Sequence, residues 1–166
     1  ETSMPTLRDN SLLLLDFVQR YCLEHGKTLA IACSCKERVF PYEYQFLLSK
    51  LKLENVKIVP NDDNNFSSYR LIDQSKVTVT VNSTIGFEAL ARGNKVLFCN
   101  YSNDEYFDVP SGYSEGVWAL RDTSSSFEQF SRKVSAIYDV TDQQWRDDTQ
   151  AMAQHFVRAQ SNLLPQ

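Results

Sequence analysis

Several residue types that would signal particular functions are scarce in this 166-residue chain. It has only five glycines, and no Gly-x-Gly-x-x-Gly or Walker-type loop follows a predicted strand, which disfavours a NAD-type dinucleotide domain and an ordinary nucleoside triphosphatase. The two histidines, His25 and His155, do not combine with Cys33 and Cys35 at a spacing typical of metal ligands. We therefore expect no bound metal.

A basic surface and a long apolar segment are also missing. The formal net charge is -4 at pH 7 and the acidic residues are scattered, which disfavours nucleic acid or an anionic membrane as a partner. The longest apolar stretch near the start is Leu12 to Leu15, far below the roughly 20 residues of a membrane span, and no signal-peptide pattern precedes it. The prediction is a cytoplasmic location, with any peripheral membrane association made only through other domains.

The length and the apolar content suffice for one hydrophobic core. A chain of 166 residues with 42% hydrophobic residues is too short for two ordinary domains, so residues 1–166 are predicted to form a single domain. Three of the four cysteines, Cys33, Cys35 and Cys99, lie in or beside apolar strand-like runs. We expect all four thiols, including that of Cys22, to be reduced and structural.

Strand-like and helix-like segments alternate along the chain, which predicts an α/β fold with a parallel sheet covered on both faces. The first predicted helix is capped by Asp9, Asn10 or Ser11 and stops at Gly26, and Ser67 or Ser68 caps a later short helix. Further helices are predicted around Leu47, over 85–92, near 127–138 and near 143–163. Strands are predicted at 28–33, at 56–59 before Pro60, at 77–81, at 96–99 and around Trp118.

The most informative segment is a strand over 77–81, a polar turn, a helix from Ile85 to Arg92 and a fourth strand. Ser83 and Thr84 lie at the predicted helix start, where unpaired amides and the positive end of the helix dipole favour an anion. Gly86 would let that anion approach the backbone closely. Two simpler roles stay open. Ser83 or Thr84 could serve as a helix cap and nothing more, and Glu88 could serve only to interact favourably with the helix dipole.

The stretch Asn82-Ser83-Thr84-Ile85-Gly86-Phe87-Glu88-Ala89-Leu90-Ala91-Arg92-Gly93 resembles the donor-binding signature of GT-B glycosyltransferases. It is most similar to that of bacterial enzymes of surface or capsular polysaccharide biosynthesis. The resemblance implies a Rossmann-like, doubly wound domain that forms one half of a GT-B fold. It also implies that Ser83, Thr84 and Gly86 bind the donor phosphate and that Glu88 binds ribose or sugar hydroxyls.

The same resemblance assigns roles to two other predicted strand ends. Lys36 and Arg38, after the first strand, would neutralise donor phosphate, although an ordinary solvated loop explains them equally well. Pro60 and Asn61, after the second strand, would contact the nucleobase through backbone groups. The implied substrate is a CMP-, UDP- or GDP-linked sugar, with hexosyl or Kdo/sialyl-type transfer to a glycan acceptor and no cofactor.

The resemblance also implies a partner domain, because GT-B enzymes place the active site between two Rossmann-like halves. We expect the N-terminal acceptor domain to be missing here, so that this chain alone binds donor weakly and is inactive, and no catalytic residue is assigned. Aromatic side chains after the fourth strand could stack on a sugar or cover the core: Tyr101, Tyr106, Phe107 and Tyr113. The alternatives are half of a sugar-nucleotide 2-epimerase, which needs a histidine at the cleft, and a non-catalytic scaffold module.

Overall fold

A computed structural model describes residues 7–36, 40–62, 66–81, 83–102, 104, 105, 109 and 112–161. Within them the helices are α1 (Leu7–His25), α2 (Phe40–Lys50), α3 (Ser67–Gln74), α4 (Thr84–Ala91), α5 (Phe127–Asp139) and α6 (Asp142–Ser161). The strands are β1 (Ala30–Lys36), β2 (Lys57–Asn61), β3 (Thr78–Thr80), β4 (Val96–Asn100) and β5 (Ala119–Arg121). The predicted α/β class and the parallel pairing of the strands are confirmed.

The strands form two sheets instead of the single sheet expected from the sequence. Two compact units correspond to them: a small unit, Leu15–Ser75, and a large unit, Glu1–Leu14 with Lys76–Gln166. Each predicted strand and helix is present, with ends that differ by a few residues. The alternation of elements was therefore readable from the sequence, whereas the division into two sheets was not.

The small unit is built on the parallel pair β1 and β2, with Ala30 opposite Lys57 and Lys36 opposite Asn61. Helix α3 buries Leu71 and Ile72 and packs against both strands. Gly26 ends α1 at φ +60°, and the Lys27 amide donates to the Cys22 carbonyl at 2.9 Å. This is the six-to-one bond of a Schellman motif, so the predicted glycine stop is confirmed.

The large unit is built on a three-stranded parallel sheet in the order β3-β4-β5. All five residues of the central strand are buried, as expected for a parallel strand covered on both faces. Helices α4, α5 and α6 supply further large buried side chains. These include Leu90, Phe130, Val134, Ile137, Trp145 and Met152.

At three helix or strand ends, the residue predicted to cap or stop the element does not do so. Helix α1 begins at Leu7, so Asp9, Asn10 and Ser11 lie inside it and do not cap it. Strand β2 continues through Pro60, because this residue lies where the β1–β2 register is irregular and no ladder amide is required of it.

The third difference concerns the start of α3. Its N-cap is Phe66, in the left-handed conformation and with no side-chain cap. The Ser67 hydroxyl is used elsewhere: it donates to the Pro60 carbonyl at 2.7 Å and accepts from the Asp62 amide at 3.1 Å. The serine predicted to cap the helix therefore closes the loop before it.

Candidate functional site

Ser83 and Thr84 follow β3 at the carboxyl end of the large unit's parallel sheet. Ser83 is the N-cap residue of α4, in extended conformation, and its side chain makes no capping hydrogen bond. It is half-buried, and Thr84, the first helical residue, is exposed. The first amides of a helix have no acceptor within it. Backbone and hydroxyl donors are thus placed together at a strand-to-helix junction, the usual position for an anion in such sheets.

Gly86 has a packing role in this structure. It is buried, and its amide donates to the Ser83 carbonyl at 3.0 Å. A Cβ atom here would lie 2.8 Å from Cγ2 of Thr80 and 2.9 Å from Cε1 of Phe98. The absence of a side chain therefore lets α4 approach the sheet closely, and the need for glycine follows from packing without any bound phosphate.

Glu88 lies in the middle of α4 and is half-buried. Next to it, Phe87 stacks on Phe98 of β4 with ring centroids 4.5 Å apart, and Ala89 and Leu90 are buried. Packing on these neighbours fixes the rotation of the helix about its axis, and hence the direction of the Glu88 Cα–Cβ bond.

The turn after β4 contains a buried polar network that sequence reasoning missed. The Asn100 side-chain oxygen accepts from the amide and the hydroxyl of Ser102, both at 2.9 Å. Its nitrogen donates to the Asp104 carbonyl at 3.0 Å. An Asn-x-Ser turn after an apolar strand is a weak signal for such an arrangement. The network fixes the backbone leaving β4 at the same sheet edge as Ser83.

Asp122, directly after β5, is the second group that the sequence did not reveal. Its amide donates to the Asn100 carbonyl at 2.9 Å. Its carboxylate accepts from the Ser124 amide at 3.0 Å and the Ser126 amide at 2.6 Å, and from Gln129 at 3.3 Å. Ser126 then caps α5 by accepting from the Gln129 amide. The buried carboxylate therefore connects the end of the sheet to the start of α5.

We expect Asp122→Asn to lower the free energy of unfolding by about 1–3 kcal/mol, the cost of leaving buried polar groups unsatisfied. The substitution places an amide nitrogen against backbone donors, including the Ser126 amide at 2.6 Å from Oδ2. Urea denaturation measures the change. Asp139→Asn, at an exposed position, is the control, and equal effects of the two substitutions would contradict the role given to Asp122.

The aromatic and thiol groups near β4 belong to the core. Tyr101 is buried, which favours a role in covering the core and not in stacking on a sugar. Burial, together with the neighbouring Cys99 and Asp122, raises the pKa of Tyr101, and burial raises the pKa of Cys99 to about 12. The thiol is therefore protonated at neutral pH and is no nucleophile.

The other cysteines and aromatic candidates are placed as follows. Cys22 and Cys33 are buried, as expected for structural thiols, and the Cys35 side chain lies outside the described residues. Tyr113 is half-buried, with its ring centroid 5.5 Å from that of His155 and 6.5 Å from that of Trp118. Tyr106 and Phe107 also lie outside the described part of the chain.

In the small unit the structure places Lys36 directly opposite Asn61, at the carboxyl ends of β1 and β2. The Pro60 carbonyl, one of the groups predicted to contact a nucleobase, accepts the Ser67 hydroxyl. Arg38 and the Lys36 side chain lie outside the described residues. The predicted site residues that the structure describes thus form two groups: Lys36 with Pro60 and Asn61 in the small unit, and Ser83 with the three α4 residues Thr84, Gly86 and Glu88 in the large unit.

The comparisons with known proteins give one match. A family model described as "putative O-antigen biosynthesis protein" matches residues 5–161. No curated protein and no solved structure matched. In the part of the chain that the structure describes, no helix combines the length and apolar character required to cross a membrane.

Proposed function

Because this chain belongs to the O-antigen biosynthesis family, whose model covers residues 5–161, we propose that it is the nucleotide-sugar-binding part of a glycosyltransferase. Its product would be a surface polysaccharide. The donor is a CMP-, UDP- or GDP-linked sugar and the acceptor is a growing glycan. The proposal goes beyond the family description, which gives the biosynthetic process and no reaction.

The observation that carries the proposal is the junction between β3 and α4. Ser83 and Thr84 stand there at the carboxyl end of a parallel strand, and the Ser83 hydroxyl is not used as a helix cap. The hydroxyls of Ser83 and Thr84 and the amides of Thr84 and Ile85 can donate to a diphosphate, whose charge is favoured by the helix dipole. In this proposal Glu88 accepts a ribose or sugar hydroxyl.

The small unit has the supporting residues. Lys36 and Arg38 would neutralise phosphate charge, and the backbone of Pro60 and Asn61 would contact the base. The pairing of Lys36 with Asn61 supports the idea that these groups act at one sheet edge. Transfer itself requires the acceptor domain, and the proposed location of the reaction is the cytoplasm, where nucleotide sugars are used.

A thermal-shift screen against CMP, UDP, GDP and their sugar conjugates tests the donor site. We expect one nucleotide series to raise the melting temperature, because a ligand that binds only the folded state stabilises it by mass action. The Ser83→Ala/Thr84→Ala double variant should remove the shift. Ser114→Ala/Thr123→Ala, at two exposed positions of the large unit, is a matched control that should keep it.

Two outcomes would point to another function. A shift that survives in the Ser83/Thr84 variant would exclude this junction as the phosphate site. The absence of any shift, also in a protein containing an acceptor domain, would favour the scaffold alternative. An epimerase is supported less well, because His25 is the last residue of α1 and His155 lies exposed on α6.

We expect Glu88→Gln to weaken nucleotide-sugar binding by about 1.5–3 kcal/mol, the range for a hydrogen bond to a charged group. If Glu88 binds the sugar, the free nucleotide should lose less affinity than the nucleotide sugar does. If Glu88 binds the ribose, both ligands should lose the same affinity. Isothermal titration of both ligands separates these cases. An unchanged affinity for both would remove Glu88 from the site.

A further inference from the structure

A groove of about 520 Å³ lies between α4 and α6 in the large unit. Its floor and walls include Leu90, Ala91, Gly93 and Ala153, and its rim includes Arg92, Arg146 and Gln150. This volume is within the range of small-molecule sites, about 300–1,000 Å³. Small side chains on both helices leave the groove open, and long polar ones border it.

The charge at the rim is uneven. The Arg146 side chain passes close to Gly93, the residue that follows Arg92 in the sequence. Its Cγ and Cδ atoms lie 3.8 Å from the position that a Cβ on Gly93 would occupy. The guanidinium of Arg146 makes no hydrogen bond or ion pair with any residue that the structure describes. Asp147, the acidic group in the lining, accepts from Gln143 at 2.9 Å. Two arginines and one acid, Asp147, therefore border the groove, and its rim has a net positive charge.

The walls of the groove are held in place by the fold. Gly93 at φ +86° ends α4, and the Asn94 amide donates to the Ala89 carbonyl at 3.0 Å. The Asn94 carbonyl in turn accepts from Nε1 of the fully buried Trp145 of α6 at 2.9 Å. The end of α4 and the start of α6 are thus connected directly, and a ligand would meet a preformed site.

We propose that this groove binds an anionic monosaccharide, a sugar carrying a phosphate or a carboxylate. Both anions fit the planar donor set of a guanidinium, and the net positive charge of the rim favours an anion over a neutral sugar. The Gln150 amide can both donate to and accept from sugar hydroxyls. The apolar floor takes the carbon face of the ring.

This site is separate from the proposed donor site. It is at the carboxyl end of α4, whereas Ser83 and Thr84 are at its amino end, and eight helical residues span roughly 12 Å at 1.5 Å per residue. The two proposals can therefore fail independently.

Isothermal titration of the full chain with glucose 1-phosphate, glucuronate, glucose and inorganic phosphate tests the groove. We expect saturable binding of one or both sugar anions and weaker binding of glucose and of phosphate alone. Arg146→Gln should weaken that binding about tenfold or more, consistent with a lost charged hydrogen bond. Arg132→Gln, on the exposed side of α5, is the matched control and should leave it unchanged.

A second variant tests the groove without changing its charge. Ala153→Leu adds volume to the wall of the groove. It should weaken the binding of the sugar anions and leave the affinity for inorganic phosphate unchanged. The Ser83→Ala/Thr84→Ala variant should bind the sugar anions as the unaltered chain does. If only glucose 1-phosphate binds, the ligand is a phosphorylated sugar. If only glucuronate binds, the ligand is a carboxylated sugar.

Two results would overturn the proposal. One is the absence of saturable binding for every probe. The other is an Arg146→Gln variant that has a lower melting temperature but unchanged affinity, which would show that the arginine only stabilises the carboxyl end of α4 through its dipole.

Discussion

Replacing Trp145 with alanine is expected to lower the free energy of unfolding by about 3–5 kcal/mol, the cost measured for removing large buried aromatic side chains. The indole of Trp145 is fully buried at the start of α6. Its removal opens a cavity and also takes away the 2.9 Å hydrogen bond to the Asn94 carbonyl. Because whole domains are stable by only about 5–15 kcal/mol, this single change should leave the large unit near its stability limit.

Urea denaturation followed by circular dichroism measures the effect, and Trp145→Phe separates its two parts. Phenylalanine keeps most of the ring volume but cannot donate to Asn94, so we expect it to be clearly less destabilising than alanine. Tyr42→Ala is the control, since Tyr42 is 80% exposed and surface changes usually stay within about 0.5 kcal/mol. A Trp145→Ala variant as stable as the Tyr42 control would contradict the packing described here.

The second large effect is expected at Gly86, where leucine should destabilise the chain by about 3 kcal/mol and alanine by about 1–3 kcal/mol. Overpacking of a close helix–sheet contact has costs of this size. A Cβ would lie within 3.0 Å of both Thr80 and Phe98. The better helix propensity of alanine, about 1 kcal/mol, offsets only part of the free-energy cost of this overlap. Helix α4 would have to move away from the sheet.

The partner variant Thr80→Ser makes this prediction specific. It removes Cγ2, the atom 2.8 Å from the Cβ position, so the Gly86→Ala/Thr80→Ser double variant should be destabilised by less than the sum of the two single changes. Such non-additivity is the signature of direct contact. If Gly86→Ala is neutral for stability and weakens only nucleotide binding, glycine serves the ligand and not the packing.

Local sequence patterns predicted the elements well where one physical requirement dominates. The apolar run of β4, from Val96 to Cys99, fits a strand covered on both faces, and Gly26 fits a helix stop that needs a positive φ. The Ser83-Thr84 junction was located in the same way, as a polar turn between a strand and a helix. These requirements act between neighbouring residues, so the order of residues alone determines them.

Tertiary structure decided which of several chemically similar roles each polar residue plays. Ser67 closes a loop instead of capping α3, and Asp122 connects β5 to α5, because their partners are set by the arrangement of whole elements. Gly86 is explained by Phe98, which is twelve residues away in the sequence. The groove is lined both by Gly93, just after α4, and by Ala153 of α6. The sequence by itself thus determined the α/β alternation and the position of the strand-to-helix junction, whereas the two sheets, the polar networks and the groove depend on long-range packing that no local pattern encodes.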